Sequence, residues 1–155
     1  MRLLTNPPNQ LRLFSLVLIL AAAWAGAAEK SPHSVQVTIR TILAENKSDD
    51  YDPRLKGMEQ QLKPLKYRSY RLLKAEDQNV PSKGTGSFEI PGGRSLTVAP
   101  QDFQDNRIAL KVRLTERDKP VIDTTVKIPN KGNFILGGPP HEGGVLVLSI
   151  SATAQ

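Results

Sequence analysis

The stretch RIALKVRLT, residues 107–115, decides the fold class of this chain. Its apolar side chains alternate with polar or small ones, the apolar set being Ile108, Leu110, Val112 and Leu114. A hydrophobic period of two residues is typical of a β-strand that buries one face and exposes the other to water. We therefore predict a half-buried strand at this position.

Short runs of the same kind lie on both sides of this strand and are separated by turn residues. PGGR (91–94) and PNKGN (129–133) mark tight connections, and residues 76–86 and 101–106 are predicted to form a loop and a turn. Further strands are predicted at 35–43, 65–75, 87–91, 94–100, 121–128, 134–136 and 143–152. This pattern predicts one mostly β domain over residues 35–155, an antiparallel β-sandwich or a small barrel.

One short helix is predicted between the first two strands, at residues 53–63. Asp52 can cap its first turn, Pro53 suits its first position, and Pro64 should end it. Apolar side chains at spacings of three and four form one stripe along it, namely Leu55, Met58, Leu62 and Leu65. We expect this helix to cover an open edge or an end of the sheets.

The first residues have the three parts of a secretory signal peptide. Arg2 and Arg12 supply positive charge, the apolar stretch 13–25 follows, and small residues come after it. We predict a signal peptide at 1–28, a flexible lead at 29–34, and no transmembrane helix in the mature chain. The protein is then exported, to the periplasm or to the outside of the cell. The absence of cysteine favours a bacterial envelope over a eukaryotic extracellular setting.

Positive charge is concentrated in one part of the chain. The whole chain has a formal net charge of +6, and residues 53–74 contain seven Lys and Arg against one Glu. Basic and aromatic side chains interleave in KPLKYRSYR (63–71) and just beyond it. We predict an anion or partner contact formed by Lys63, Lys66, Tyr67, Arg68, Tyr70, Arg71 and Lys74.

The partner of this basic face would be an envelope protein or an acidic envelope polymer. Acidic polysaccharide, lipid headgroups and an acidic protein surface all suit its charge, whereas nucleic acid is not expected in the predicted compartment. The alternative is that these charges only solvate one face of the protein, as charge runs usually do.

The stretch ILGGPPHEGG, residues 135–144, contains two Gly-Gly pairs around Pro-Pro and His141. A phosphate loop needs a following helix and usually a lysine, but a strand follows here and no Lys or Arg lies between Gly132 and the last residue. Two histidines without cysteine are too few for a zinc site. We predict a stiff turn between the last two strands, with His141 solvated at its tip.

No catalytic constellation emerges from the sequence. The chain has no Gly-x-Ser-x-Gly elbow, and the acidic stretch SDDYDP (48–53) lacks the glycine and spacing of a calcium loop. We predict no enzymatic activity, no catalytic residue, no metal and no cofactor. A small hydrolase whose site the sequence does not reveal remains an alternative.

Residues 123–138, DTTVKIPNKGNFILGG, resemble one β-hairpin segment of the bacterial secretin family. The resemblance lies in a Thr-rich strand, a Gly-containing turn, an apolar strand and a Gly-Gly pair in that order. It departs from the family where Pro139 and Pro140 follow the glycines. The resemblance implies a small β-domain of an envelope assembly, such as a secretion or pilus system, and not a channel.

These observations predict a non-enzymatic exported protein of the bacterial envelope that interacts with or scaffolds another protein. The alternatives are a binding module for acidic polysaccharide or lipid headgroups through the basic 63–74 face, and the small hydrolase. The sequence does not determine the oligomeric state.

Overall fold

A computed structural model describes residues 30–155; the predicted signal peptide lies outside them. Eight β-strands form two antiparallel sheets of four, in the orders β2-β1-β8-β7 and β3-β4-β5-β6. The sheets do not join into a barrel, because β2 and β3 are not paired, and neither are β6 and β7. The fold is therefore the predicted β-sandwich. The strands are β1 (Ser34–Glu45), β2 (Ser69–Pro81), β3 (Gly86–Ile90), β4 (Arg94–Gln104), β5 (Arg107–Glu116), β6 (Lys119–Pro129), β7 (Gly132–His141) and β8 (Gly144–Ala154).

The main core lies between the two sheets. The alternating residues of β5 that indicated a strand from sequence, Ile108, Leu110, Val112 and Leu114, are all buried in it. They pack with the inward-facing residues of β1, β3, β4, β6 and β8. Alternation thus predicted the buried face, because side chains of a strand point in turn to its two sides.

Several hairpins turn through two residues in the left-handed conformation. Asp105 and Asn106 have φ of 52° and 56°, and Arg117 and Asp118 have φ of 50° and 63°. Turns of this kind follow the right-handed twist of the strands they join. Aspartate and asparagine tolerate positive φ better than most residues, so three of these four positions suit the turn.

The predicted helix at 53–63 is not continuous. A 3-10 helix spans Pro53–Leu55, α1 spans Glu59–Leu62, and a second 3-10 helix spans Lys63–Leu65. Gly57 has a φ of +91°, which no right-handed helix contains, and the chain turns there. The prediction of one short helix is confirmed by α1, but α1 spans only Glu59–Leu62 of the predicted 53–63; the capping of the first turn by Asp52 was also correct.

This helical segment covers the outer face of the β2-β1-β8-β7 sheet, not an edge or an end as expected. The predicted stripe packs against that face, with Leu55 and Leu62 fully buried and Met58 and Leu65 partly buried. They form a second core, whose sheet side contains Ile42, Ala44, Tyr70 and Val147. The segment 53–65, called the helical cover below, thus buries residues of β1 that would otherwise face water.

Some predicted boundaries were wrong. The second strand starts at Ser69, not at residue 65, and it runs to Pro81 through much of the predicted loop 76–86. β4 likewise runs to Gln104, so only Asp105 and Asn106 turn the chain. The residues at these strand ends are mostly polar. Because they show little hydrophobic alternation, the sequence does not indicate a strand there.

The prediction of a stiff turn at 135–144 was also wrong. β7 continues through the Gly-Gly-Pro-Pro stretch to His141, with an irregularity between Gly137 and Pro140. Only Glu142 and Gly143 form the turn to β8. The lead preceding β1 ends at His33, whose backbone amide donates to Gln155 and whose carbonyl accepts from Ser82.

Candidate functional site

Asp52 joins the start of the helical cover to β2. Its carboxylate accepts from the Arg54 amide at 3.0 Å and from the Leu72 amide at 2.9 Å. The Arg54 guanidinium binds both carboxylate oxygens, with Nε at 3.0 Å and Nη2 at 2.7 Å. These donors, the Arg54 side chain first, hold the pKa of Asp52 well below its usual range. The Asp52 carboxylate is therefore occupied by hydrogen bonds within the protein, which connect the helical cover to β2.

All three tyrosines of the chain meet at the helical cover. Tyr70 is only 6% exposed; its hydroxyl donates to the Leu62 carbonyl at 2.9 Å and accepts from the Tyr67 amide at 3.2 Å. Tyr51 and Tyr67 contact the Tyr70 ring edge to face, with centroids at 6.1 and 6.4 Å. Tyr70 was predicted as a contact residue, but its ring lies in the second core and faces other side chains of this chain.

Two of the predicted contact cations have acidic partners. Arg68 forms a two-point ion pair with Asp49 at 2.8 and 2.7 Å, and this pair lowers the pKa of Asp49. Lys74 lies 3.1 Å from Glu76 and donates to the Glu89 carbonyl at 3.3 Å. Both cations are therefore partly neutralised within the fold.

Lys63, Lys66 and Arg71 are exposed, and within residues 30–155 no carboxylate lies within ion-pair distance of them. Lys63 belongs to the last turn of the helical cover, and Lys66 follows that turn directly and redirects the chain with a φ of 61°. Arg71 instead borders a shallow depression that also contains Glu45 and Asp50. The exposed cations of the predicted basic face therefore lie in two places. Lys63 and Lys66 are at the end of the helical segment, and Arg71 lies beside the carboxylates of Glu45 and Asp50.

Arg94 links the two sheets at one end of the sandwich. Its side chain is 7% exposed and pairs with Glu116 of β5 at 3.2 Å. It donates to the Pro91 carbonyl at 2.8 Å and to the Pro140 carbonyl of β7 at 3.0 Å. Its Nη1 also lies 3.3 Å from His141 Nδ1. The sequence did not reveal this buried arginine, because Glu116, Pro140 and His141 are far from it along the chain.

His141 is not the solvated histidine that the sequence predicted. Its side chain is 14% exposed and packs against Arg94, with its other ring nitrogen 3.8 Å from Glu142. The Gly-Gly-Pro-Pro strand places it there, because β7 passes the end of β4. Its role in the described structure is therefore contact between the two sheets.

One side of the sandwich, where β2 passes β3, is closed by side chains. Gln78 of β2 donates to the Ser87 carbonyl at 2.6 Å, and Lys74 donates to the Glu89 carbonyl at 3.3 Å. These bonds satisfy alternate carbonyls on the free edge of β3, a strand of only five residues. Short edge strands and inward-pointing polar residues discourage pairing with another chain.

The opposite side, formed by β6 and β7 and called the open side below, has a different surface. The two large apolar side chains that are exposed in residues 30–155 both lie there, Val121 of β6 at 45% and Phe134 of β7 at 36%. β6 has eleven residues and is rich in β-branched side chains. Sequence alternation could not reveal this side, because it depends on which strands end each sheet.

Within 30–155 no group of three or more His, Cys, Asp or Glu lies close enough together to hold a metal ion. Ser149 is buried, and its hydroxyl accepts from Asn133 Nδ2 at 3.4 Å. No helix among these residues has the length and apolar character needed to cross a bilayer.

No protein-family model, curated protein or solved structure matches this chain.

Proposed function

We propose that this protein is an exported, non-enzymatic β-domain of the bacterial envelope that binds another protein through its open side. The observation that carries the proposal is the difference between the two sides of the sandwich. Side chains of β2 bond to the edge of β3, whereas the open side has the exposed Val121 and Phe134. An unblocked edge strand presents backbone donors and acceptors that an extended segment can pair with.

The other free edges are less suited to strand addition. Residues 69–72 of β2 are bordered by the loop before the helical cover. The Asp52 amide donates to the Tyr70 carbonyl, and the Tyr70 amide donates to the Asp50 carbonyl. β7 contains Pro139 and Pro140, which have no N–H to donate. β6 has prolines only near its ends, at 120 and 129, so residues 121–128 are uninterrupted.

The resemblance to secretins supports the same location. The segment 123–138 includes most of β6 and the first half of β7, which together form the open side. A small exported domain with a protein-binding edge suits a secretion or pilus assembly. We therefore propose that its partner belongs to such an envelope assembly.

Site-specific photocrosslinking in intact cells tests this proposal. A photoreactive phenylalanine analogue is placed at Phe134 on the open side, and at Ser87 on the closed side as the matched control. We expect a discrete protein adduct from position 134 and none from position 87. Equal labelling from both positions, or no adduct from position 134, would contradict the proposed binding side.

Export is tested separately. The full chain is fused to a reporter enzyme that is active only outside the cytoplasm, and the N-terminus of the mature protein is determined. We expect an active reporter and a mature chain that begins near Glu29. An inactive reporter with an intact N-terminus would contradict the export step without bearing on the binding side.

A second candidate function is binding of an acidic polysaccharide or anionic lipid headgroups. The observation that favours it is the exposure of Lys63, Lys66 and Arg71 without ion-pair partners in the described residues. Binding driven by these cations must weaken as salt rises. The carboxylates of Glu45 and Asp50 beside Arg71 work against a polyanion, which is why protein binding is preferred.

Retention on an immobilised sulfated polysaccharide separates these two functions. Polyanion binding by these cations requires the triple variant Lys63→Gln, Lys66→Gln and Arg71→Gln to elute at lower salt than a control triple variant, Lys111→Gln, Arg117→Gln and Lys131→Gln. The control removes the same number of charges from other parts of the surface. Equal elution of both variants would show that net charge alone determines retention, and would remove this candidate.

A further inference from the structure

The free edge of β6 has a definite set of outward-pointing backbone groups. The Asn130 amide donates to the Asn106 carbonyl at 2.9 Å, which makes 106 and 130 a hydrogen-bonded pair between β5 and β6. Hydrogen-bonded and non-bonded pairs alternate along an antiparallel ladder. The even-numbered residues 124, 126 and 128 therefore point their backbone groups to β5. Those of Asp123, Thr125 and Lys127 point away from the sheet.

Pro129 agrees with this assignment. It is odd-numbered, so the N–H it lacks would have faced outward and not into the sheet. Prolines in sheets are confined to edge strands with that orientation. The uninterrupted outward ladder of β6 thus ends at Pro129.

The outward residues of β6 are complementary to themselves. An antiparallel pairing of two β6 strands centred on Thr125 places Asp123 of one copy opposite Lys127 of the other, twice. The same pairing places Ile122 opposite Ile128 and Thr124 opposite Val126, on the face that lines the core. Opposite charges and β-branched residues at directly opposed positions are favourable cross-strand pairs.

Neighbouring registers lack this match. Centring on Asp123 or on Lys127 would oppose two like charges at the two-fold axis, which is destabilising. Centring on Thr124 or Val126 would still pair free backbone groups, but Asp123 would lie opposite Thr125 or Pro129 and never opposite Lys127. The Thr125-centred register alone among these five combines opposite charges with free backbone groups.

Side chains around β6 suit this arrangement. Asp123 already pairs with Arg113 of β5 at 2.8 Å, so in the paired strands its carboxylate would lie between two cations. The Arg107 guanidinium donates to the Lys127 carbonyl at 3.3 Å, a long contact that leaves a second lone pair for an incoming amide.

Phe134 is on the open side, beside β6. It lies opposite Ile150 of β8, a residue of the main core, so its side chain faces the gap between the two sheets, where it is 36% exposed. A second copy paired to β6 would extend the sheet beside this gap and reduce the exposure of Phe134 to water.

We infer that the open side binds a second copy of this chain, through antiparallel pairing of β6 with β6 about Thr125. The result is a two-fold symmetric dimer with one continuous eight-stranded sheet. This inference rests on the proposed interaction role of the open side and names the partner. It is an isologous contact, so it closes on itself and does not propagate into fibres.

Charge reversal tests both the pairing and its register. Purified protein lacking the predicted signal peptide is studied by sedimentation, first as wild type, then as Asp123→Lys and as Lys127→Asp. Each single variant opposes like charges in its own homodimer, so we expect self-association to weaken by about tenfold or more. When the two variants are mixed, every cross-strand pair is again of opposite charge, and we expect a mixed dimer to form.

The control reverses a charge on the closed side, Glu89→Lys, and should leave self-association unchanged. Circular dichroism and thermal melting of each variant confirm that it is folded. A wild type that stays monomeric up to about millimolar concentration, where even weak pairing is detectable, would overturn the inference. So would a dimer insensitive to both reversals, or a mixture that stays monomeric.

The outcomes also distinguish this inference from the proposed function. A monomeric purified protein that still forms an adduct with a different protein from position 134 in cells would remove self-pairing and keep the binding side. An adduct with the mass of two copies supports both.

Discussion

Gln61 and Asn133 exchange two hydrogen bonds between the helical cover and β7. Gln61 Nε2 donates to Asn133 Oδ1 at 2.8 Å, and Asn133 Nδ2 donates to Gln61 Oε1 at 2.6 Å. The pair joins α1 to an edge strand 72 residues further along the chain. It explains how a helix of only four residues keeps a fixed position on the sheet.

A double-mutant cycle on this pair should show coupling. Gln61→Ala and Asn133→Ala should each lower the free energy of unfolding by about 1 kcal/mol, because each leaves one amide without its partner. The double variant should lose less than the sum of the two. Urea denaturation measures the three values. Gln60→Ala, an exposed neighbour, is the control and should change stability by less than about 0.5 kcal/mol; strictly additive losses would show that the two amides do not interact.

Removal of the Arg94 guanidinium should destabilise the end of the sandwich. Arg94→Met keeps much of the aliphatic stem but leaves two carbonyls and Glu116 without their donor. We expect a loss of about 2–3 kcal/mol in the free energy of unfolding, measured by urea denaturation.

The matched control is Arg113→Met. Arg113 also pairs with a carboxylate, Asp123, but both side chains are more than 40% exposed. An exposed pair contributes about 0.5 kcal/mol, so this variant should lose much less. Equal losses from the two substitutions would mean that burial of Arg94 has no energetic consequence.

The break in the helical cover should depend on Gly57. Its φ is +91°, and a Cβ added there would meet no heavy atom within 4 Å. Gly57→Ala should therefore cost about 1 kcal/mol through the backbone alone. Gly137→Ala is the control, because it also meets nothing within 4 Å and its φ lies outside the left-handed region. Thermal melting should show a drop for the first variant only; similar melting temperatures for both would contradict the assignment of a required turn at Gly57.

Acid should weaken the junction between the helical cover and β2. The pKa of Asp52 lies well below its ordinary value of 3.8, above all because of the Arg54 side chain. A depressed pKa in the folded state means that this carboxylate stabilises the fold above pH 3.8. The stabilisation is lost as pH falls through the lower folded value.

Asp52→Asn isolates this contribution. Asparagine can still cap the 3-10 helix but carries no charge and does not titrate. Between about pH 5 and pH 2 the melting temperature of the wild type should fall more steeply than that of the variant. Asp118→Asn, in an exposed turn, is the control and should keep the wild-type slope. Identical slopes for Asp52→Asn and wild type would rule out this carboxylate as a source of the acid sensitivity.

The clearest strands were predictable because their environment is simple. β5 and β6 have one buried and one solvated face, and alternation follows directly from that difference. The apolar stripe of the helical cover was predictable for the same reason, since Leu55 and Leu62 are buried as expected. Its break at Gly57 was not, because the spacing of apolar residues is the same in a continuous and in an interrupted segment.

The predicted contact residues illustrate a second limit. Local charge singled out seven side chains at 63–74, but pairing with Asp49 and Glu76 neutralises two of the cations, and the second core takes up Tyr70. The partners lie in other elements, and composition within a window carries no information about them.

The sequence by itself determined the class of fold and most of the buried face of each sheet, because strand periodicity records which side chains avoid water. Only the tertiary structure decided the role of each edge. β3 is closed by side chains of β2, the Gly-Gly-Pro-Pro stretch became part of a strand, and β6 was left as the long free edge. The physical reason is that strand order and long-range hydrogen bonds bring together residues that are far apart in the chain. A local sequence pattern does not show which distant residues will be neighbours.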